Sequence, residues 1–210
     1  SAASDVYKRQ IWGLYPFYFH AMQHVAPTEI VIHRVLWTFA LLAVYLFCSR
    51  RWRWIQKAIT DRRTVAVFLM SSVLITANWS TYTYAIVTNQ TLEASLGYFM
   101  NPLVSVLLGT VFLKEKLNKA QMLAIVFACA GVMWVTFKQG EFPALGLTLA
   151  LSFGFYGLVR KMAPLGSLEG LTLETAFAFP VALLATFYFA GNGDLTFVHG
   201  TSWDKFWLIM

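Results

Sequence analysis

The sequence predicts an all-α membrane protein, a polytopic bundle of helices. Hydrophobic residues make up 58% of the 210 residues and charged residues only 12%, and the mean hydropathy is +0.59. The apolar residues gather into stretches of roughly 18–23 residues, which is the length that a helix needs to cross a bilayer. Lysine and arginine concentrate in alternate gaps between these stretches, which is the positive-inside pattern. A soluble chain of this composition would have too little polar surface to cover itself.

Each apolar stretch is predicted to be a span. In order, the stretches cover residues 11–19, 30–47, 65–87, 92–113, 120–137, 144–159 and 171–190, and an eighth begins at Trp203. The first is too short to cross, and the polar residues 1–10 stand where the rest of it is expected, so we interpret them as a leader foreign to the fold. Because Met210 stops inside an apolar run, we expect a fragment truncated to about seven spans plus part of an eighth.

The positive charge sets the expected orientation. The gap after the second span holds six cations: Arg50, Arg51, Arg53, Lys57, Arg62 and Arg63. The gaps after the fourth and sixth spans hold the remaining cations of this pattern: Lys114, Lys116, Lys119, Arg160 and Lys161. These gaps are predicted to face the cytoplasm, and residues 49–64 form a basic amphipathic stretch expected to lie along the inner surface. The net charge of +6 does not indicate a nucleic-acid partner, because the cations flank apolar spans and face an anionic leaflet.

A weak internal repeat suggests the domain organisation. Ile-Trp-Gly-Leu-Tyr at 11–15 is similar to Ser-Phe-Gly-Phe-Tyr at 152–156. Twenty residues after the glycine of each copy come ionisable side chains, His33 and Arg34 in the first copy and Glu174 in the second. Five spans per copy is an odd number, so the second copy must be inverted in the membrane. We therefore predict a first repeat at 11–138 and the start of an inverted second repeat at 139–210, an arrangement typical of alternating-access transporters.

Four longer motifs resemble the EamA family of the drug/metabolite transporter superfamily. They are Glu-Ile-Val-Ile-His-Arg-Val-Leu-Trp at 29–37, Ala-Asn-Trp at 77–79, Glu-Ala-Ser-Leu-Gly-Tyr-Phe-Met-Asn-Pro-Leu-Val at 93–104, and Ser-Phe-Gly-Phe-Tyr-Gly-Leu-Val-Arg-Lys at 152–161. The resemblance runs from about residue 11 to residue 210. It implies a multi-pass protein of the bacterial inner membrane with two inverted five-helix repeats. A homodimer is left open.

Polar side chains inside the spans are the candidate substrate-binding or coupling residues, because charge in the bilayer core is costly. They are His33, Arg34, Asn78, Trp79, Tyr98, Asn101 and Glu174. Arg34 could contact an anionic group of a substrate, while His33 or Glu174 could carry a proton. Pro102 cannot donate to the carbonyl of Tyr98, so it is predicted to kink the fourth span and to leave polar groups free near the midplane.

Plainer alternatives exist for most of these residues. Arg34 could extend to the interface or pair with Glu29, and Glu174 could make a structural hydrogen bond to a neighbouring helix. Asn101 could cap the break at Pro102. Trp79 could line a cavity, although such aromatic residues are more often packing or interfacial belt residues. These alternatives stay open at the level of the sequence.

The expected function is that of a secondary exporter of small metabolites or drugs, with proton exchange as the candidate energy source. Its partners would be the small molecule and the lipid bilayer. The alternative is a membrane-embedded enzyme acting on a lipid-linked substrate. The sequence contains no His-Glu-x-x-His helix, no Gly-x-Ser-x-Gly elbow and no acidic cluster, so we expect neither an enzyme nor a metal or cofactor. Its two cysteines suit neither a disulfide framework nor a metal site.

Overall fold

The computed structural model describes residues 22–50, 52–140, 142–193 and 195–209, and within these ranges all regular structure is helical. The helices are α1 (Pro27–Ser49), α2 (Arg53–Thr60), α3 (Arg62–Val87), α4 (Thr91–Leu113), α5 (Lys119–Gln139), α6 (Ala144–Lys161), α7 (Ser167–Asn192), α8 (Thr196–His199) and α9 (Ser202–Ile209). The all-α class is confirmed. The predicted leader and first span lie outside the described residues, and the division into two repeats stays a prediction.

Five of the described helices are long and apolar enough to cross a membrane, namely α1, α3, α4, α5 and α7. They coincide with five of the predicted spans to within a few residues at each end. The predicted span at 144–159 corresponds to α6, which is 18 residues long and is not one of the five. Because α6 has only 18 residues, any stretch of that length within it includes the terminal pair Arg160 and Lys161 as well as three glycines.

Side-chain caps define where two of the helices begin. Asp61 ends α2 and caps α3 by accepting hydrogen bonds from the backbone N–H groups of Arg63 and Thr64. A further hydrogen bond, from the Thr64 hydroxyl, is the main reason why the pKa of Asp61 lies below its ordinary value. Asn118 and Gln121 form a reciprocal capping box at the start of α5. Such caps satisfy backbone donors that a helix leaves unpaired.

Helices α4 and α6 pack side by side in the same direction. Near their first turns, Glu93 accepts a hydrogen bond from the backbone N–H of Leu145 at 3.0 Å. Near their last turns, Lys161 donates to Glu115. Between these points Gly97 meets Gly146 so closely that a Cβ built on Gly97 would lie 2.9 Å from the Gly146 carbonyl oxygen. Small residues allow this approach of two membrane helices.

Helix α3 is central to the described bundle, since it packs against α1, α4, α6 and α7, while α1 and α7 also pack on each other. Helix α2 covers one end of this group, because Trp54 and Ala58 contact Phe68 of α3 and Leu173 of α7. Helix α5 is different. It contacts α4, and none of its apolar residues is buried.

Candidate functional site

A buried carboxylate joins three helices near the start of α7. Glu174 is only 2% exposed. It accepts hydrogen bonds from the Ser71 hydroxyl of α3 and from the Tyr156 hydroxyl of α6, the latter at 3.3 Å. The Arg160 Nε lies 3.6 Å from the Glu174 Oε1. We call Ser71, Tyr156, Arg160 and Glu174 the inner cluster, because the charge pattern predicts that this end of the bundle faces the cytoplasm.

Arg160 reaches the inner cluster across a glycine. Its guanidinium lies over Gly170, where any Cβ would overlap it. Its Nη2 donates to the carbonyl of Gly166 at 3.3 Å, and its Cζ lies 5.3 Å from the centre of the Phe68 ring. The arginine is therefore held between α6, the first turn of α7 and the aromatic ring of α3.

A second polar group lies at the opposite end of α1 and α7. The Glu29 carboxylate accepts hydrogen bonds from the backbone N–H groups of Thr196 at 3.0 Å and Phe197 at 2.7 Å. The His33 Nε2 lies 4.0 Å from the Glu29 Oε1, and the His33 ring contacts the Phe197 ring with 4.6 Å between the ring centres and a tilt of 34°. Within the described residues neither ring nitrogen of His33 has a hydrogen-bond partner. Glu29 thus holds residues 196–197 against α1.

Arg34 and Trp79 contact each other beside this group. The Arg34 Cζ lies 4.5 Å from the centre of the Trp79 ring, a distance at which a cation is attracted to an aromatic face. Trp79 also packs against the apolar contact between α1 and α7, which is formed by Ile32, Val35 and Ala182. Trp79 therefore combines packing with a cation contact.

Asn78 links α3 to α6. Its side-chain amide donates to the Leu149 carbonyl at 3.1 Å and to the Ser152 hydroxyl at 3.0 Å, and the residue is 9% exposed. Tyr98 lies on α4, with its ring edge-on to the ring of Tyr82 of α3 and 5.6 Å between the ring centres. Asn78 and Tyr98 are predicted to be site residues, and in the structure each of them makes a contact between two helices.

Replacing Asn78 with alanine is expected to lower the free energy of unfolding by about 1 kcal/mol, because a buried hydrogen bond between helices is lost. The change can be measured by titrating the protein in detergent with dodecyl sulfate and following helicity. Ser152→Ala removes only one of the two acceptors and should cost less. Equal stability of Asn78→Ala and the unsubstituted protein would contradict the structural role.

Asn101 and Pro102 lie inside α4, which continues through them from Thr91 to Leu113. The Asn101 Oδ1 is buried and, among the described residues, has no hydrogen-bond partner. Asn101 therefore does not use this oxygen to cap the backbone at Pro102, where a helix hydrogen bond is missing. The kink at Pro102 and the participation of Asn101 in a site stay predictions.

A cavity of about 430 Å³ opens between α1, α3 and α7. Its wall on α3 carries a row of hydroxyls at every fourth residue: Ser72, Thr76 and Ser80. Apolar side chains of α1 and α7, such as Val35 and Val181, form most of the remaining wall. The Ser72 hydroxyl donates to the Glu174 carbonyl oxygen at 2.7 Å, so the cavity adjoins the inner cluster.

The seven predicted site residues do not form one cluster. None of them lines this cavity; Glu174 adjoins it through Ser72, Trp79 packs against its Val35 wall, and His33 lies at the far end of α1. Sequence reasoning missed the hydroxyl row and the partners of Glu174. The four-residue spacing of Ser72, Thr76 and Ser80 on an apolar helix is a signal that could have found the row. In the described ranges, no group of three or more His, Cys, Asp or Glu side chains could hold a metal ion.

Long apolar helices with an ion pair buried between them define a polytopic membrane protein. The chain belongs to the EamA-like transporter family, because the sequence profile of that family matches residues 10–137. It is 43% identical over 176 residues to the uncharacterized transporter YojE of Bacillus subtilis, covering 82% of this chain and 59% of YojE.

Other relatives place the chain within the family. It is 39% identical to protein RarD of Escherichia coli, with 87% of this chain and 62% of RarD covered. It is 37% identical to the uncharacterized transporter PA0485 of Pseudomonas aeruginosa, with 95% and 67% covered. The chain thus spans about three fifths to two thirds of these curated relatives. The predicted resemblance to the EamA family is confirmed, and the relatives named RarD show that the chain is RarD-like. No solved structure matches the chain.

Proposed function

We propose that the protein is a secondary transporter that exports small organic molecules across the bacterial inner membrane by alternating access. The observation that carries this proposal is the cavity of about 430 Å³ between α1, α3 and α7, beside a buried carboxylate. The volume lies in the range of pockets that hold metabolites and drugs. The largely apolar wall with one row of hydroxyls suits an uncharged or weakly polar molecule. Membership of a transporter family supports the same class.

The inner cluster supplies the proposed coupling. Glu174 connects α7 to Ser71 of α3 and to Tyr156 and Arg160 of α6. A proton on the carboxylate would remove its charge and with it most of the attraction to Arg160. Helix α7 would then be freer to move relative to α6, and the end of the cavity that adjoins Glu174 could open. Proton uptake and opening towards the cytoplasm would in this way be one event.

The residues at the other end of α1 would act in the second half of the cycle. His33 lies beneath residues 196–197, which Glu29 holds in place, and Arg34 lies over Trp79. We propose that this group closes the outer end of the path and that His33 or Arg34 contacts the leaving molecule. Export then requires the inner and outer contacts to open in turn.

Glu174→Gln is expected to reduce export to the level of cells that lack the protein, because the amide keeps the shape of the side chain but cannot exchange a proton. Glu169→Gln is the matched control. Glu169 lies on the same helix and accepts a hydrogen bond from the backbone N–H of Gly166 at the helix start, a role that glutamine also fills. The contents of cells and medium are compared by untargeted mass spectrometry at equal membrane levels.

Two results would count against the proposal. Export by Glu174→Gln at the rate of the unsubstituted protein would remove the coupling role of the carboxylate. The transporter proposal itself would be wrong if no compound is depleted in cells and enriched outside only when the protein is present. This comparison should cover several growth media.

A further inference from the structure

Helix α2 has one face that is used by the protein. Trp54 and Ala58, one turn apart, pack against Phe68 of α3 and Leu173 of α7, and Ala58 is 4% exposed. The ring of Phe68 in turn lies under the Arg160 guanidinium. Helix α2 therefore closes the bundle directly beneath the inner cluster.

A second face of α2, roughly 100° around the helix from the packed one, is strongly basic. Arg53 and Lys57, also one turn apart, are exposed. Three further exposed cations flank the helix in sequence: Arg50, Arg62 and Arg63. The acid between α2 and α3, Asp61, already accepts hydrogen bonds from the start of α3. We call Arg50, Arg53, Lys57, Arg62 and Arg63 the α2 cationic face.

Helix stability does not account for three of these cations, Arg53, Arg62 and Arg63, whereas Lys57 in the last turn of α2 and Arg50 at the end of α1 are favourably placed. Arg62 and Arg63 occupy the first turn of α3, and Arg53 is the first residue of α2. The dipole of a helix disfavours positive charge at this end. An external anion would offset that cost, because it would pair with the side chains.

The surroundings of the cationic face indicate which anion it meets. Trp52 and Ile59, on the same short segment, are 45% and 55% exposed. Exposed apolar and aromatic groups beside lysine and arginine are typical of a helix that lies in the headgroup region of a bilayer. The charge pattern already places this segment at the cytoplasmic surface, where the leaflet is anionic.

We propose that the α2 cationic face binds the headgroups of anionic phospholipids and that the bound lipid holds α2 against Phe68 and Leu173. The lipid would then stabilise the closed inner end of the bundle without entering the cavity. The positive-inside pattern by itself requires only charge on this side of the membrane. A lipid site additionally requires cations on a helix that also packs against the protein. A further basic segment, the turn at 114–118, is not helical.

The test uses the full-length protein with phosphatidylglycerol or phosphatidylcholine. Native mass spectrometry should show that the unsubstituted protein retains phosphatidylglycerol in preference to phosphatidylcholine. Arg53→Gln/Lys57→Gln should weaken this retention roughly 25-fold, because each cation at an anionic leaflet contributes about fivefold. Lys116→Gln/Lys119→Gln is the matched control, since it removes the same charge from exposed positions on the same side of the membrane, and it should retain the lipid.

A second measurement needs no substitution. Hydrogen exchange across residues 53–60 of the unsubstituted protein should be slower in vesicles with phosphatidylglycerol than in pure phosphatidylcholine. The difference should shrink as salt is raised, because salt screens exposed charges. Exchange in α2 that is indifferent to the lipid, no preference for phosphatidylglycerol, or an equal loss of lipid in both double variants would each overturn the proposal.

Discussion

Replacing Arg160 with methionine is expected to destabilise the protein by about 3–5 kcal/mol, because the Glu174 carboxylate would stay buried without its cation. The side chain of Glu174 is 1% exposed and that of Arg160 is 16% exposed, so water cannot readily take the place of the guanidinium. Methionine preserves much of the apolar stem of arginine, so the loss should come from the charge and not from a cavity. Unfolding in mixed micelles, followed by helicity as dodecyl sulfate is added, measures the effect.

The double variant Arg160→Met/Glu174→Leu separates the ion pair from packing. It should recover most of the lost stability, because two apolar side chains in this place avoid the cost of burying charge. Lys161→Met is the control for a charge at the next residue. Its ion pair with Glu115 is exposed, with 59% and 51% of the two side chains accessible, and should be worth less than about 1 kcal/mol. Equal effects of Arg160→Met and Lys161→Met, or no recovery in the double variant, would contradict a buried ion pair.

Gly97→Ala is expected to destabilise the protein by about 1–3 kcal/mol, the usual cost of overpacking a close contact. The added Cβ would lie 2.9 Å from both the Gly146 carbonyl oxygen and the Leu149 Cβ. Both neighbours are held by helix backbone, so α4 and α6 would have to move apart. The same dodecyl sulfate titration measures the change.

The matched substitution for this contact is Gly131→Ala on α5. In the described part of the chain, no atom of another helix lies within 4 Å of a Cβ built there, so alanine should stabilise the helix by up to about 1 kcal/mol. The two substitutions are chemically identical, and opposite signs are expected. Two stabilising changes, or two equal losses, would contradict the close packing of α4 on α6.

The helices could be predicted from the sequence because their signal is local. A long apolar run must satisfy its backbone within itself when it enters a bilayer, so its existence does not depend on its neighbours. Helix α6 marks the limit of this signal. Its polar end and its glycines weaken the apolar pattern, although the helix is there and packs against both α3 and α4.

The arrangement of the site could be predicted only in part. Burial of Glu174 follows from its apolar surroundings in sequence, and the structure confirms it. Its partners Ser71 and Arg160 lie on two other helices, 103 and 14 positions away in the chain. No local pattern determines which helices become neighbours. For Arg160 the sequence predicts only membership of the inner charge pattern, because orientation alone adequately explains a cation at a helix end.

The sequence also does not determine whether His33 and Glu174 lie close together. Both are polar groups in apolar helices, and α1 and α7 do pack against each other. The two helices are antiparallel, so the start of α1 lies beside the end of α7. His33 and Glu174, which are both near the start of their helices, are therefore kept apart. The contact of Val35 with Ala182 and the lining of one small pocket by both Leu46 and Thr172 show that order. His33 and Glu174 therefore lie near different ends.

The parallel packing of α4 on α6 determines the direction of α5, the helix that connects them. A chain that passes twice through a layer in one direction needs a return crossing, as the link between two parallel strands does. Helix α5 is that return, and none of its apolar residues is buried in the described part of the protein. Because α5 makes this crossing, α6 can run beside α4 in the same direction, so the direction of α6 depends on the presence of α5.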